Sequence, residues 1–139
     1  MTGTLVLSDA ALRIAGILLL SVVAIEWGGT FMLRVVRGGL PLTDFQRSFS
    51  RAGHAHAGVL VILALVCVLY ADAAGQGGLW GWLARSGAAF AAILMPAGFF
   101  FSSMGAGREQ PNRLVWLVYA GAVLLAGGVV SLGLALLLA

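Results

Sequence analysis

Three ionisable side chains lie inside long apolar stretches of this 139-residue sequence: Glu26, His54 and His56. An ionised group at the centre of a membrane helix costs about 2.5–3.5 kcal/mol even on lenient insertion scales, so such residues mark functional sites by default. Two histidines with a carboxylate form a ligand set that suits non-haem iron. A carboxyl beside a histidine can also exchange protons. The chemical hypotheses for this chain therefore start from these three residues.

The rest of the sequence indicates a membrane protein. Hydrophobic residues make up 61% of the chain and charged residues only 9%, whereas soluble domains carry roughly 25% charged residues. About 20 apolar residues in a helix cross a hydrocarbon core, and four charge-poor stretches have this length: 14–33, 52–71, 86–107 and 114–139. The sequence predicts a single all-α domain over residues 1–139, a four-transmembrane-helix antiparallel bundle.

Capping residues and helix breakers set the predicted helix boundaries. Ser8 or Asp9 can cap the first helix, and Thr43 with Gln46 has the spacing of a capping box for the second. Asn112 can cap the last helix. We expect helices at about 9–36, 44–73, 83–104 and 113–138, with Trp80 and Trp82 as interfacial anchors before the third.

The distribution of arginine predicts the orientation. All eight basic residues are arginine, and six of them lie in the loops after the first and third helices, against two on the opposite side. The positive-inside rule then places loops 1 and 3 in the cytoplasm and both termini outside, in the cytoplasmic (inner) membrane. Arginines at span ends indicate no nucleic-acid partner. Three of them, Arg37, Arg47 and Arg51, are expected to contact anionic lipid headgroups.

The first functional hypothesis is a cofactor site. Helix residues two apart point about 200° from one another, so His54 and His56 should each find a second ligand on another helix. Glu26 offers a carboxylate for a metal, and sulfur from Met32, Met95 or Met104 would favour copper or a His/Met haem. We expect haem b or a transition metal, copper or iron, bound by His54 and His56 with Met104 and Met32 as sulfur ligands.

The His-Ala-His-Ala-Gly string at 54–58 resembles a fragment that recurs in haem- and copper-containing respiratory membrane proteins. That resemblance implies an electron-transfer role. Those families carry further histidines on later helices, and the last two predicted helices here contain none. Two histidines on different helices therefore cannot both come from one copy of this chain.

Two other hypotheses remain open. Glu26 and His56 could relay protons in a proton-coupled small transporter, since both side chains can gain and lose a proton. A single glutamate in the first of four spans is similar to the arrangement in small multidrug transporters. Alternatively, Glu26 and a histidine form a structural clip, and the protein is a non-catalytic accessory subunit of a homo-oligomer or larger membrane complex.

Overall fold

The computed structural model describes residues 7–138, which form four long α-helices and no strand. The helices are α1 (Asp9–Val36), α2 (Asp44–Ala73), α3 (Gly78–Ser102) and α4 (Trp116–Leu137), and a 3-10 turn at Arg113–Val115 leads into α4. Each is long and apolar enough to span a membrane. The all-helical membrane fold predicted from hydropathy is thereby confirmed.

The polar residues predicted to start the first two helices do so. The Ser8 side chain accepts a hydrogen bond from the Ala11 amide at the start of α1. At the start of α2, Thr43 and Gln46 form a complete capping box, each side chain accepting from the other residue's backbone amide. Asn112 caps the 3-10 turn rather than α4 itself. These bonds satisfy amides that the first helical turn leaves without partners.

The bounds of α3 differ from the predicted 83–104, because the helix begins at Gly78 and ends at Ser102. The residues between the second and third predicted helices, 74–82, are rich in glycine, which disfavours helix. Only Gly75 and Gly78 need the left-handed conformation, with φ of 61° and 63°. Leu79 onwards is helical, so Trp80 and Trp82 belong to the first turns of α3.

The four helices pack in an open row. α3 packs extensively against both α2 and α4, whereas α1 packs almost entirely against α2. Within residues 7–138, α1 makes no contact with α4. Only 11% of the residues in the apolar 18-residue segment of α1 are buried. Most of the surface of α1 is therefore available to lipid or to another protein.

Small residues bring the backbones of α3 and α4 into contact. A Cβ atom added to Gly87 would lie 2.6 Å from the carbonyl oxygen of Leu124 and 3.0 Å from the Cα of Gly128. A Cβ added to Gly128 would lie 2.8 Å from the carbonyl oxygen of Leu83. Such close approach is a common way for helices to associate in lipid, where dispersion contacts replace the hydrophobic effect.

Candidate functional site

Glu26 lies on the outward surface of α1. Its side chain is exposed, and it makes no hydrogen bond or ion pair with any described residue. The neighbouring Trp27 is 78% exposed on the same helix. The carboxyl therefore points away from the other helices, and within one chain nothing described compensates for its polarity.

His54 faces α1. Its half-buried ring lies against two glycines, because a Cβ on Gly28 would be 3.7 Å from Nδ1 and a Cβ on Gly29 would be 3.9 Å from Nε2. No described residue hydrogen-bonds the ring. Met32, 8% exposed, lies one turn further along α1 and belongs to the same α1–α2 interface, since α2 is the neighbour against which α1 packs. The glycines thus make room for an imidazole between two helices.

His56 faces α3 on another side of α2. Its Nδ1 atom lies 2.7 Å from the carbonyl oxygen of Ala52, and its ring centroid is 4.9 Å from that of Phe99. Because a carbonyl can only accept, this contact requires the proton on Nδ1. In the neutral ring the other nitrogen, Nε2, then keeps its lone pair, which is how metal-binding histidines are commonly oriented.

The structure does not bring the three ionisable residues into one cluster. The two histidines contact different helices, as their spacing predicts, and neither is bonded to Glu26. Among the described residues, no group of three His, Cys, Asp or Glu side chains is placed to hold a metal ion. The metal site (Glu26, His54, His56) and the proton relay (Glu26, His56) remain predictions.

The remaining candidate sulfur ligands lie in different places. Met95 is 9% exposed and packs at the α3–α4 interface, where its Cγ would lie 2.5 Å from a Cβ on Gly121. Met104 is 62% exposed and follows the end of α3. Met32 is thus the one that shares an interface with a candidate histidine, His54.

Two of the three arginines predicted to bind headgroups share a small cleft. Arg47 and Arg51 line a 250 Å³ depression together with Val35, Val36 and Gly38. Arg37 is exposed beside it. Arg47 also lies 3.5 Å from the fully exposed carboxylate of Asp44, a solvent-exposed pair of small energetic value.

A larger cavity of about 730 Å³ lies where loops 1 and 3 meet the ends of α1, α2 and α3. Phe31, Phe100 and Phe101 supply aromatic surface, and the polar side chains along it are Gln46, Ser50 and Ser103. This cavity was not predicted from the sequence. Its only sequence signal is the four-residue spacing that puts Gln46, Ser50 and His54 on one stripe of α2.

A half-buried ion pair at the opposite end was also missed. The Asp72 carboxylate, with its side chain 5% exposed, accepts from Arg85 Nε at 3.0 Å. It also accepts from the amide (2.5 Å) and hydroxyl (2.8 Å) of Ser8. Arg85 in turn donates to the carbonyl oxygen of Gln76. One carboxylate thus ties the start of α1 to the end of α2 and to α3.

The described residues offer three features of chemical consequence: an unpaired outward carboxyl, an oriented imidazole and a cavity with a mixed lining. Each of these features depends on the direction in which a side chain leaves its helix, and the structure shows that direction. Comparison of the chain with protein-family models, with curated proteins and with solved structures found no match.

Proposed function

We propose that this protein is a non-catalytic subunit of a membrane assembly and that the outward face of α1 is its docking surface. The observation that supports this proposal is the exposed, unpaired carboxyl of Glu26 on the helix that is least covered by its neighbours. Glu26 is eight residues from Arg34, about 12 Å along the helix axis, too far for its short side chain to reach the nearer interface.

The arrangement proposed for this subunit is antiparallel, with loops 1 and 3 cytoplasmic and both termini outside, in the cytoplasmic membrane. Three contacts support this alternating direction of successive helices. Ser8 at the start of α1 bonds Asp72 near the end of α2, Gln46 in the first turn of α2 bonds the Ser103 carbonyl after α3, and loop 3 bonds Thr43. The excess of arginine in loops 1 and 3 supports the orientation.

A second copy of this chain is the partner that suits Glu26 best. In a twofold dimer whose axis is normal to the membrane, the same residue of both copies lies at the same depth. Two carboxyls can then hydrogen-bond across the axis when one of them carries a proton. α1 is at the edge of the row of helices, so two copies can meet there without rearrangement.

Replacing Glu26 tests this proposal. We expect Glu26→Leu to weaken self-association in liposomes about tenfold, because an interhelical hydrogen bond in a membrane is worth about 1–2 kcal/mol in model peptides. Glu26→Gln keeps donor and acceptor groups and should retain most of the association. The measurement is energy transfer between labelled copies over a range of protein-to-lipid ratios.

The matched control for this experiment is Glu109→Gln, which removes an exposed carboxylate in loop 3 and should leave association unchanged. A wild-type protein that stays monomeric at every ratio would overturn the proposal. Equal association of wild type and Glu26→Leu would overturn it too.

A second candidate is a haem or transition-metal site in an electron-transfer system, favoured by the orientation of His56. Its Nδ1 contact with Ala52 leaves Nε2 as a ligand atom, and His54 with Met32 offers a His/Met pair at the α1–α2 interface. A relay between Glu26 and His56 has less support, because α1 turns the carboxyl outward while His56 faces α3.

An absorption spectrum with elemental analysis tests the cofactor candidate, on protein purified from its native membrane without chelator. We expect a Soret band or near-stoichiometric copper or iron, lost in His56→Ala and kept in Phe49→Leu, which alters the same aromatic row. The same experiment on His54→Ala decides which histidine is the ligand. Colourless, metal-free wild-type protein would rule the candidate out.

A further inference from the structure

We infer that the cavity between the ends of α1, α2 and α3 binds an uncharged, lipid-soluble molecule that carries a carbonyl-bearing ring, of which an alkyl benzoquinone is the simplest example. Its volume of about 730 Å³ falls within the roughly 300–1,000 Å³ of small-molecule sites. This inference does not depend on assembly through α1.

The lining of the cavity favours a flat, uncharged ligand. Phe31 contributes from α1 and Phe100 and Phe101 contribute from the last turn of α3, so aromatic rings are supplied by two different helices. Aromatic side chains prefer offset-stacked or edge-to-face contacts with other rings. None of the described residues lining the cavity is charged, so its walls offer no opposite charge to an ionised ligand.

One polar group in the cavity wall has no protein partner. Ser50 is only 6% exposed, and its hydroxyl makes no hydrogen bond with any described residue. The two other polar side chains are bonded: Gln46 donates to carbonyl oxygens of loop 3, and the Ser103 hydroxyl donates to the Phe100 carbonyl. The Ser50 oxygen is not among the fully enclosed, unpaired side-chain atoms of the described residues, so this hydroxyl stays accessible from the cavity and is placed to donate to a carbonyl oxygen of the ligand.

The walls of the cavity are held in place before any ligand binds. Gln46 Nε2 donates to the carbonyl oxygens of Ser103 (2.9 Å) and Gly105 (2.7 Å), and the Thr43 hydroxyl donates to the carbonyl oxygen of Arg108. These bonds fix loop 3 to the start of α2. A preformed site of this kind loses little conformational entropy on binding.

The open row of helices also provides an exit for an alkyl tail. α1 and α3 flank the cavity but contact each other little, so a tail can leave between them towards the bilayer. The ring would then lie near Ser50. His54 follows Ser50 by four residues, so it lies one turn further along the same face of α2. An amphiphile with a ring at one end and a chain at the other matches this shape.

Binding of a decyl benzoquinone to the detergent-solubilised full chain, measured by calorimetric titration, tests the inference. We expect saturable binding at one site per chain. Ser50→Ala should weaken it about fivefold, the loss of one neutral hydrogen bond. Ala106→Trp, a bulky replacement in the cavity lining, should weaken it further. Ser86→Ala, another buried serine, whose hydroxyl bonds its own helix, should leave it unchanged.

Decylbenzene, which has the ring and the chain but no carbonyl, separates specific binding from partition into an apolar groove. Decylbenzene should bind the wild type more weakly than the quinone does. It should bind Ser50→Ala and the wild type with the same affinity, because it has no carbonyl to accept from Ser50. The inference is overturned if the wild type binds no quinone, if Ser50→Ala binds it as tightly as wild type, or if decylbenzene competes equally. Circular dichroism of each variant confirms that the helices are retained.

Discussion

Asp72→Asn is expected to lower the free energy of unfolding by about 2 kcal/mol. Removing one partner of a fully buried ion pair costs about 3–5 kcal/mol, and the cost here is smaller because the Arg85 side chain keeps 22% exposure. Asparagine retains the shape of the carboxyl but has no negative charge to pair with Arg85. Its amide also has one oxygen fewer to accept hydrogen bonds from Ser8. Reversible unfolding in mixed micelles measures the change.

The Asp44–Arg47 pair provides the control for this prediction. Those side chains are 100% and 44% exposed and lie three residues apart on one helix, so Asp44→Asn should change stability by less than about 0.5 kcal/mol. A double-mutant cycle of Asp72→Asn with Arg85→Gln should show coupling. Equal effects of the two asparagine variants would show that the Asp72 cluster does not hold the helices together.

Gly128→Ala is expected to destabilise the protein by about 2–3 kcal/mol, at the upper end of what overpacking costs. The new Cβ would lie 2.8 Å from the Leu83 carbonyl oxygen and 3.2 Å from the Cα of Gly87. These are backbone atoms, which cannot move aside as a side-chain tip can, so α3 and α4 must separate. The same unfolding assay measures this loss.

The adjacent Gly127 is a matched control, because a Cβ there would meet nothing within 4 Å. Gly127→Ala should leave stability unchanged or raise it by up to about 1 kcal/mol, since alanine favours helix over glycine. The two variants differ by one position on the same helix. Similar losses in both would contradict the close packing of α3 on α4.

Those features of the fold that depend on local sequence were predictable. Hydropathy identified four spans, and the caps at Ser8 and Thr43 were recognised because the capping residue and its partner lie within three positions. The start of α3 was missed for a local reason also: glycine lowers helix propensity, yet only Gly78 needed the left-handed conformation at that helix start.

The site was harder to predict because the depth of a residue in the membrane does not determine the direction of its side chain around the helix axis. Counting residues from Arg34 gives the depth of Glu26, but the apolar pattern is nearly uniform around α1, so the sequence does not say which way the carboxyl points. Two-residue spacing did correctly separate the faces of His54 and His56. Asp72 and Arg85 were missed as a pair because 13 positions and a turn lie between them.

Cross-linking between copies in native membranes tests the docking role of α1 most directly. In a Cys67→Ala background, Val23→Cys and Thr30→Cys place single cysteines on the exposed Glu26 face, three residues before and four after the carboxyl. The proposal predicts covalent dimers from both variants, and none from Ile62→Cys, which is 65% exposed on α2. Monomers from Val23→Cys and Thr30→Cys would contradict it, as would dimers from Ile62→Cys alone.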